Sequence, residues 1–120
     1  MLAILPLPAL AEEVIHCDLT EVGGSETRAL SLTMDPAHYA PPLSADDPPR
    51  QGLAWVALDG RAPFAADPIW FDAGARRGFY QDNDLRGSRF FLGEPGGRGR
   101  LTERPSGQTF EGPCTEPRPQ

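Results

Sequence analysis

Apolar and polar side chains alternate along most of this chain, and that period of two restricts its possible folds more than any other feature. Residues 14–20 and 27–34 show the alternation most clearly, with these side chains on one face of each segment: Ile15, Cys17 and Leu19, then Leu30, Leu32 and Met34. No segment of about 12 residues carries the apolar pattern of an amphipathic helix. The alternation therefore predicts β-strands and an all-β fold.

Turn signals divide the chain at intervals of roughly 8–12 residues, which is typical of small β-barrels and sandwiches. The clearest signals are Asp59-Gly60 and the run Glu94-Pro95-Gly96-Gly97. They separate candidate strands at residues 14–20, 27–34, 53–58, 61–65, 69–72, 78–81, 86–92, 98–103 and 108–114. We expect about eight short strands in a small antiparallel β-barrel, lipocalin-like or a similar meander. A β-sandwich is the alternative.

The two cysteines, Cys17 and Cys114, lie in the first and last candidate strands. In an oxidising compartment they would pair and close a loop of about 100 residues, worth roughly 4–5 kcal/mol in the chain-entropy relation. The alternatives are a reactive thiol or a metal pair, and a metal site needs more ligands at closer spacing. We predict a structural disulfide. It would tie the first strand to the last and so favours the barrel.

Residues 1–11 read MLAILPLPALA, a short apolar stretch that ends in a small-x-small site and is followed by two acids. This pattern is typical of the end of a signal peptide, although no basic segment precedes the apolar stretch. The alternative is a buried N-terminal strand, which Pro6 and Pro8 disfavour because proline cannot donate to a central ladder. We expect a periplasmic or secreted protein with one β domain at residues 12–114.

Proline-rich segments flank and interrupt the strand pattern. Residues 35–51 hold Asp35-Pro36, Pro41-Pro42 and Pro48-Pro49. Because proline fixes its own φ and biases the preceding residue away from helix, we expect an extended loop there. The loop is either a binding segment or a solvated tether. Residues 115–120 contain two further prolines and are predicted to be a disordered tail.

The charge of the chain is negative and unevenly distributed. Its 17 acidic and 11 basic residues, all of them arginine, give a net charge of −6. Residues 12–72 hold 11 acids and 3 arginines, net −8, whereas residues 73–120 hold 6 acids and 8 arginines, net +2. Net acidity argues against non-specific nucleic-acid binding, which depends on neutralising phosphates. No apolar run reaches the roughly 18 residues of a membrane span.

Arginines and aromatic residues are concentrated in the second half of the chain. We select seven of them as candidate ligand-binding residues: Arg76, Arg77, Arg89, Arg98, Arg100, Tyr80 and Phe90. On a strand, Arg98 and Arg100 share a face, where two guanidiniums can hold a carboxylate or phosphate bidentately. The alternative is that these arginines are solvated and paired with acids from the first half, their number reflecting only the arginine-rich composition.

Sequence motifs for catalysis are mostly missing. The chain has no G-x-S-x-G, H-E-x-x-H or complete Walker A motif. Its only histidines are His16 and His38, and a small hydrolase would need one of them in a pocket beside a nucleophile. Residues 82–93 begin like a calcium loop but place Arg86 and Gly93 where oxygen ligands belong. We predict no catalytic residues, no metal and no cofactor, with a small hydrolase as the enzymatic alternative.

One short segment, Ser106-Gly107-Gln108-Thr109-Phe110, resembles a motif of a known family. Small periplasmic β-barrel inhibitors of C-type lysozyme carry a Ser-Gly-x-x-Tyr segment that enters the lysozyme active site, and Phe110 here stands in place of the tyrosine. The resemblance covers five residues and implies that Ser106, Gly107 and Phe110 form an inhibitor loop. That family also has a downstream lysine motif, and this chain has no lysine.

Together these observations predict an exported, monomeric, non-catalytic binding or interaction module. Its partner would be an unknown protein or a small acidic ligand, bound by the aromatic and arginine residues and the 35–51 loop. Inhibition of C-type lysozyme is the first alternative.

Overall fold

Nine β-strands follow one another in the computed structural model, which describes residues 12–35, 53–83 and 87–119. They are β1 (Glu13–Glu21), β2 (Thr27–Met34), β3 (Ala54–Leu58), β4 (Phe64–Phe71), β5 (Arg76–Asn83), β6 (Gly87–Gly93), β7 (Arg98–Arg104), β8 (Thr109–Pro113) and β9 (Arg118–Pro119). A single 3₁₀ turn at Asp72–Gly74 joins β4 to β5. Within these residues no helix is long and apolar enough to cross a membrane.

The strands form a closed antiparallel barrel. Each strand from β1 to β7 pairs with the next one in sequence, and β8 returns to pair with β1. The predicted barrel is therefore confirmed, and the β-sandwich is not the observed fold. At the seam between β1 and β8, Cys17 and Cys114 form the predicted disulfide across a sequence separation of 97. A disulfide is consistent with an extracellular or otherwise oxidising compartment.

Alternation of side chains fills the barrel interior. The inward positions of β1 and β2 include Ile15, Cys17, Leu19, Leu30, Leu32 and Met34, all about 1% exposed. Three fully buried rings complete the interior: Phe79 and Phe91 on β5 and β6, across the barrel from β1 and β2, and Phe110 on β8, beside β1. The rings of Phe79 and Phe91 stack with centroids 5.9 Å apart. A core of this kind stabilises the barrel through the apolar area that it removes from water.

Two glycines make room for the Phe91 ring beside the disulfide. Gly93 and Gly99 lie opposite each other on β6 and β7, at inward positions. A Cβ atom at Gly99 would lie 2.6 Å from the Phe91 ring and 2.9 Å from Sγ of Cys114. Packing in a protein interior is too dense to absorb such an overlap without movement of the neighbours. Glycine is therefore required here by the close approach of the ring and the disulfide.

The strand pattern differs from the prediction around Pro68. Residues 61–65 and 69–72 were expected to be separate strands, but β4 runs without interruption from Phe64 to Phe71. Only residues 64–66 of β4 pair with β3, whereas residues 67–71 pair with β5 alone. Pro68 therefore lies beyond the β3 ladder, at an edge-like position where its missing N–H costs little.

The structure also departs from the prediction of a disordered tail. Residues 115–119 are described, and Arg118 and Pro119 of β9 pair with Val14 and Glu13 of β1. Thr115 donates its backbone N–H to the carbonyl of His16, and its hydroxyl accepts the backbone N–H of His16. These bonds hold the segment against β1. The predicted signal peptide at residues 1–11 lies outside the described residues, as does the 35–51 loop apart from Asp35.

Candidate functional site

Strand geometry divides the seven candidate ligand-binding residues between the barrel interior and the outer face. Successive side chains of a strand point to opposite sides of the sheet. Because Phe79 and Phe91 are fully buried, the residues directly before and after each of them face outward. Arg77 and Arg89 point inward. The other five residues point outward: Arg76, Tyr80, Phe90, Arg98 and Arg100.

The five outward residues lie on the three neighbouring strands β5, β6 and β7. Tyr80 lies opposite Phe90 in the strand register, and their exposed fractions are 39% and 45%. In the next row, Gly78 of β5 lies between Ile69 of β4 and Leu92 of β6. Gly78 is buried although its position faces outward. A Cβ added at Gly78 would meet the backbone of Phe91 and Leu92, so β5 and β6 approach closely there, and the two rows lie next to each other on the sheet.

We call this surface the β4–β7 outer face and define it by eight residues: Ile69, Phe71, Arg76, Tyr80, Phe90, Leu92, Arg98 and Arg100. Five of them are large and apolar or aromatic, and Phe71 is 55% exposed at one border. The other three are arginines. Aromatic side chains and arginine are residue types enriched at protein interfaces relative to the rest of a protein surface.

The arginines of the β4–β7 outer face are weakly held by the chain itself. Arg100 pairs with Glu111 at 3.2 Å, and the two side chains are 65% and 38% exposed. Arg76 lies 3.9 Å from Asp72, and both side chains are more than half exposed. Ion pairs this exposed contribute about 0–1 kcal/mol. Among the described residues Arg98 forms no ion pair. These guanidiniums can therefore exchange their partners for groups on another molecule.

Arg77 closes one end of the barrel. Its guanidinium lies 4.5 Å from the centre of the Trp70 ring, donates from Nε to the carbonyl of Gly74 at 3.1 Å and pairs with Glu13 at 3.3 Å. The residue is 8% exposed. A cation stacked on an aromatic ring and paired with a carboxylate is a satisfied structural group. The structure thus places Arg77 away from the candidate surface.

Arg89 lies at the opposite end of the barrel, where a polar network lines the opening. It donates to Glu103 at 3.3 Å and to Gln81 at 2.9 Å. Glu103 also accepts a bond from Arg28 at 3.0 Å. Burial lowers the pKa of Arg28. The charge of Glu103 and its hydrogen bond to Arg28 act in the opposite direction, as do those of Glu26, and together they raise the pKa above its usual value. Arg28 and Glu103 were not singled out from the sequence.

The segment resembling a lysozyme-inhibitor loop forms a turn and a core position. Ser106 donates to the carbonyl of Glu103 and accepts the backbone N–H of Gln108. Gly107 has a φ of +77°, which suits glycine. Phe110 is fully buried, with the Arg28 guanidinium 4.4 Å from its ring centre. The aromatic ring of this segment is therefore used inside the barrel.

His16 lies on the outside of β1, with Nδ1 2.7 Å from Oγ of Ser31 on β2. The pair borders an open groove of about 800 Å³ that Trp55 and Pro63 also line. Ser31 lies in mid-ladder between His16 and Ala57. Backbone N–H groups in such a ladder bond to neighbouring strands, so they do not form the oxyanion hole that acyl transfer needs. His38 lies outside the described residues.

Within residues 12–35, 53–83 and 87–119, no group of three or more histidine, cysteine or acidic side chains is placed to hold a metal ion. When the chain was compared with protein-family models, curated proteins and solved structures, no match was found. The function of the chain is therefore inferred from the geometry of its described residues.

Proposed function

We propose that this chain is an exported, non-catalytic interaction module that binds an acidic protein partner through the β4–β7 outer face. The observation that carries the proposal is the exposed pair Tyr80 and Phe90, opposite each other on adjacent strands, with Arg100 in the next row of the same face. Tyrosine, phenylalanine and arginine are the residue types that contribute most at protein interfaces.

Charge supports an acidic partner. The chain has a net charge of −6, and the β4–β7 outer face carries three arginines. Its acidic neighbours are Asp67 and Asp82, which lie beside Tyr80, and Asp72 and Glu111, which form exposed pairs with Arg76 and Arg100. An arginine-rich patch on an otherwise acidic protein orients a partner of opposite charge and speeds its association. The alternative partner, a C-type lysozyme, is a basic enzyme and would be repelled by this face. The two hypotheses therefore predict opposite partners.

Export to the periplasm or outside the cell is part of the proposal. Its supports are the signal-peptide pattern of residues 1–11 and the Cys17–Cys114 disulfide, which requires an oxidising compartment to form and persist. The exported protein meets its partner with the barrel already closed by the disulfide.

The test is affinity capture followed by binding measurements on matched variants. The oxidised chain is used to capture proteins from periplasmic extract, and the affinity of each captured protein is measured by calorimetry. Phe90→Ser removes a ring from the β4–β7 outer face, and Trp55→Ser removes one of equal exposure, 45%, from β3. We expect Phe90→Ser to weaken binding by about tenfold or more, as for an aromatic interface anchor. Trp55→Ser should leave the affinity unchanged.

A second pair of variants tests the charge. Arg98→Glu with Arg100→Glu should slow association and reverse its salt dependence, whereas Arg118→Glu on β9 should have little effect. If the captured partner binds Phe90→Ser and the double arginine variant as tightly as the parent chain, the proposed surface is refuted. Stoichiometric inhibition of a C-type lysozyme that Ser106→Trp abolishes would replace the proposal with the inhibitor hypothesis.

A further inference from the structure

The barrel opening opposite Arg77 contains a cavity of about 350 Å³. Three arginines line it, Arg28, Arg61 and Arg89, together with Phe64, Leu58 and Glu103. Its volume lies at the lower end of the range of small-molecule sites, about 300–1,000 Å³, and barrel mouths are a common place for them. The cavity is separate from the β4–β7 outer face, so a ligand site in it does not depend on the proposed function.

One arginine of the cavity is fully engaged by the protein. Arg28 donates from Nε to Glu103 at 3.0 Å, from Nη1 to the carbonyl of Thr27 at 3.0 Å and from Nη2 to Glu26 at 3.3 Å. Its guanidinium also lies over the Phe110 ring. Arg28 is therefore a fixed part of the wall, and it holds Glu103 in place.

The other two arginines retain hydrogen-bond donors. Arg89 uses Nε for Glu103 and Nη1 for Gln81, which leaves Nη2 for another acceptor. Arg61 forms no ion pair with any of the described residues, and its side chain lines the same cavity. A pair of guanidiniums with free donors at one opening can hold a carboxylate through charge-assisted hydrogen bonds.

The rest of the lining selects the kind of anion. Leu58 and Phe64 give the cavity an apolar wall, and the Arg89 guanidinium lies 5.5 Å from the centre of the Phe64 ring. Two lining carboxylates, Asp59 and Glu103, offset two of the three arginine charges. Glu26, which pairs with Arg28 at 3.3 Å, offsets the third, so a ligand with one negative charge suits the opening better than a phosphate with two.

We propose that this opening binds a small organic monocarboxylate, with the carboxylate between Arg61 and Arg89 and the apolar part against Phe64 and Leu58. Glu103 holds Arg28 and Arg89 in place, so this part of the site is formed before the ligand arrives. Preformed donors lower the cost of ordering on binding.

The test is a titration of the ¹⁵N-labelled, oxidised full-length chain with benzoate, followed by amide chemical shifts. Benzamide is the matched neutral probe, with the same ring and no charge. We expect saturable shifts at residues 58–62, 64, 89 and 103, a dissociation constant of roughly 1 mM or tighter, and binding of benzamide at least about tenfold weaker. Shifts that do not saturate, or equal affinities for the two probes, overturn the proposal.

Variants at Arg61 test the location. Arg61 lies in the turn between β3 and β4 with an exposed side chain, so Arg61→Gln should fold like the parent chain. We expect Arg61→Gln to weaken benzoate binding by about 10- to 100-fold, the loss of a charged hydrogen-bond donor. Arg61→Lys keeps the charge but not the fork geometry and should weaken binding less. Arg118→Gln is the exposed control. Equal benzoate affinities for the parent chain and Arg61→Gln would show that the cavity is not the site.

Discussion

Opening the Cys17–Cys114 disulfide is expected to be among the most destabilising single chemical changes that this barrel can undergo. The seam that it crosses is sparsely paired: β1 has two register pairs with β8 at one end and two with β9 at the other. Between them lies the bridge formed by the two cysteines themselves. All other strand pairings join neighbours in sequence. The disulfide is therefore the covalent part of the only long-range closure among the described strands.

The size of the effect follows from the length of the closed loop. With a sequence separation of 97, the chain-entropy relation gives about 4.7 kcal/mol at 25 °C. Measured values run below this relation when the unfolded chain keeps residual structure, so we expect a loss of roughly 3–5 kcal/mol. For a small domain that is about a third or more of the free energy of unfolding. With m-values of about 1–3 kcal/mol per M of urea, it corresponds to a fall of about 1–5 M in the urea midpoint.

The assay is urea unfolding followed by tryptophan fluorescence. It compares the oxidised chain, the same chain refolded under reducing conditions, and Cys17→Ala, Cys114→Ala and the double variant. The two single variants should each lose nearly as much as the double variant, because removing either cysteine opens the same loop. If the oxidised and reduced chains unfold with free energies within about 1 kcal/mol, the ladder alone closes the barrel and the reasoning fails.

Two further predictions concern the interior. Gly99→Ala places a Cβ 2.6 Å from the Phe91 ring and should cost about 1–3 kcal/mol by overpacking; an unchanged urea midpoint would mean that the ring moves aside. Glu13→Gln leaves the buried Arg77 cation without its countercharge and should cost about 1–3 kcal/mol. Asp72→Asn, at an exposed ion pair, should stay within about 0.5 kcal/mol, and similar losses for both would contradict the burial argument.

The architecture of the barrel could be predicted because its local signals agree with one another. Period two indicated the strands, and the Asp59-Gly60 turn has positive φ at both residues, 53° and 72°, as expected for a tight turn of these residues. The predicted return strand at residues 61–65 begins later, at Phe64. Two cysteines in the first and last strands then indicated closure. The sequence did not reveal that β4 continues through Pro68, since that depends on where the β3 ladder ends.

For the arginines of β5 and β6, the sequence could not predict which side chains face inward, because the aromatic residues on these strands occur in adjacent pairs. Phe79 precedes Tyr80, and Phe90 precedes Phe91, so either member of each pair could have been the buried one. Packing decides the choice: Phe79 and Phe91 stack in the core. Once the buried ring of each pair is known, alternation gives the direction of all the remaining side chains on β5 and β6.

The lining of the barrel opening was missed although a signal for it exists. Arg28 lies two positions before Leu30, and Glu103 lies two positions after Leu101, so each shares the inward face of its strand. Charged residues at strand ends are usually solvated, so a charged residue there is not normally taken as part of a barrel lining. A charged residue in phase with the core at a strand end is the pattern that would have identified it.

The pairing of β9 with the beginning of β1 brings the two ends of the described β domain together. Pro119 lies beside Glu13, and apart from this seam every strand follows its spatial neighbour in the chain. A short linker across the seam would leave the circular order of the strands intact. The backbone could then be cut at an exposed turn such as Asp59-Gly60, and the disulfide would close only a short loop made of the end of the chain, the linker and the start of β1.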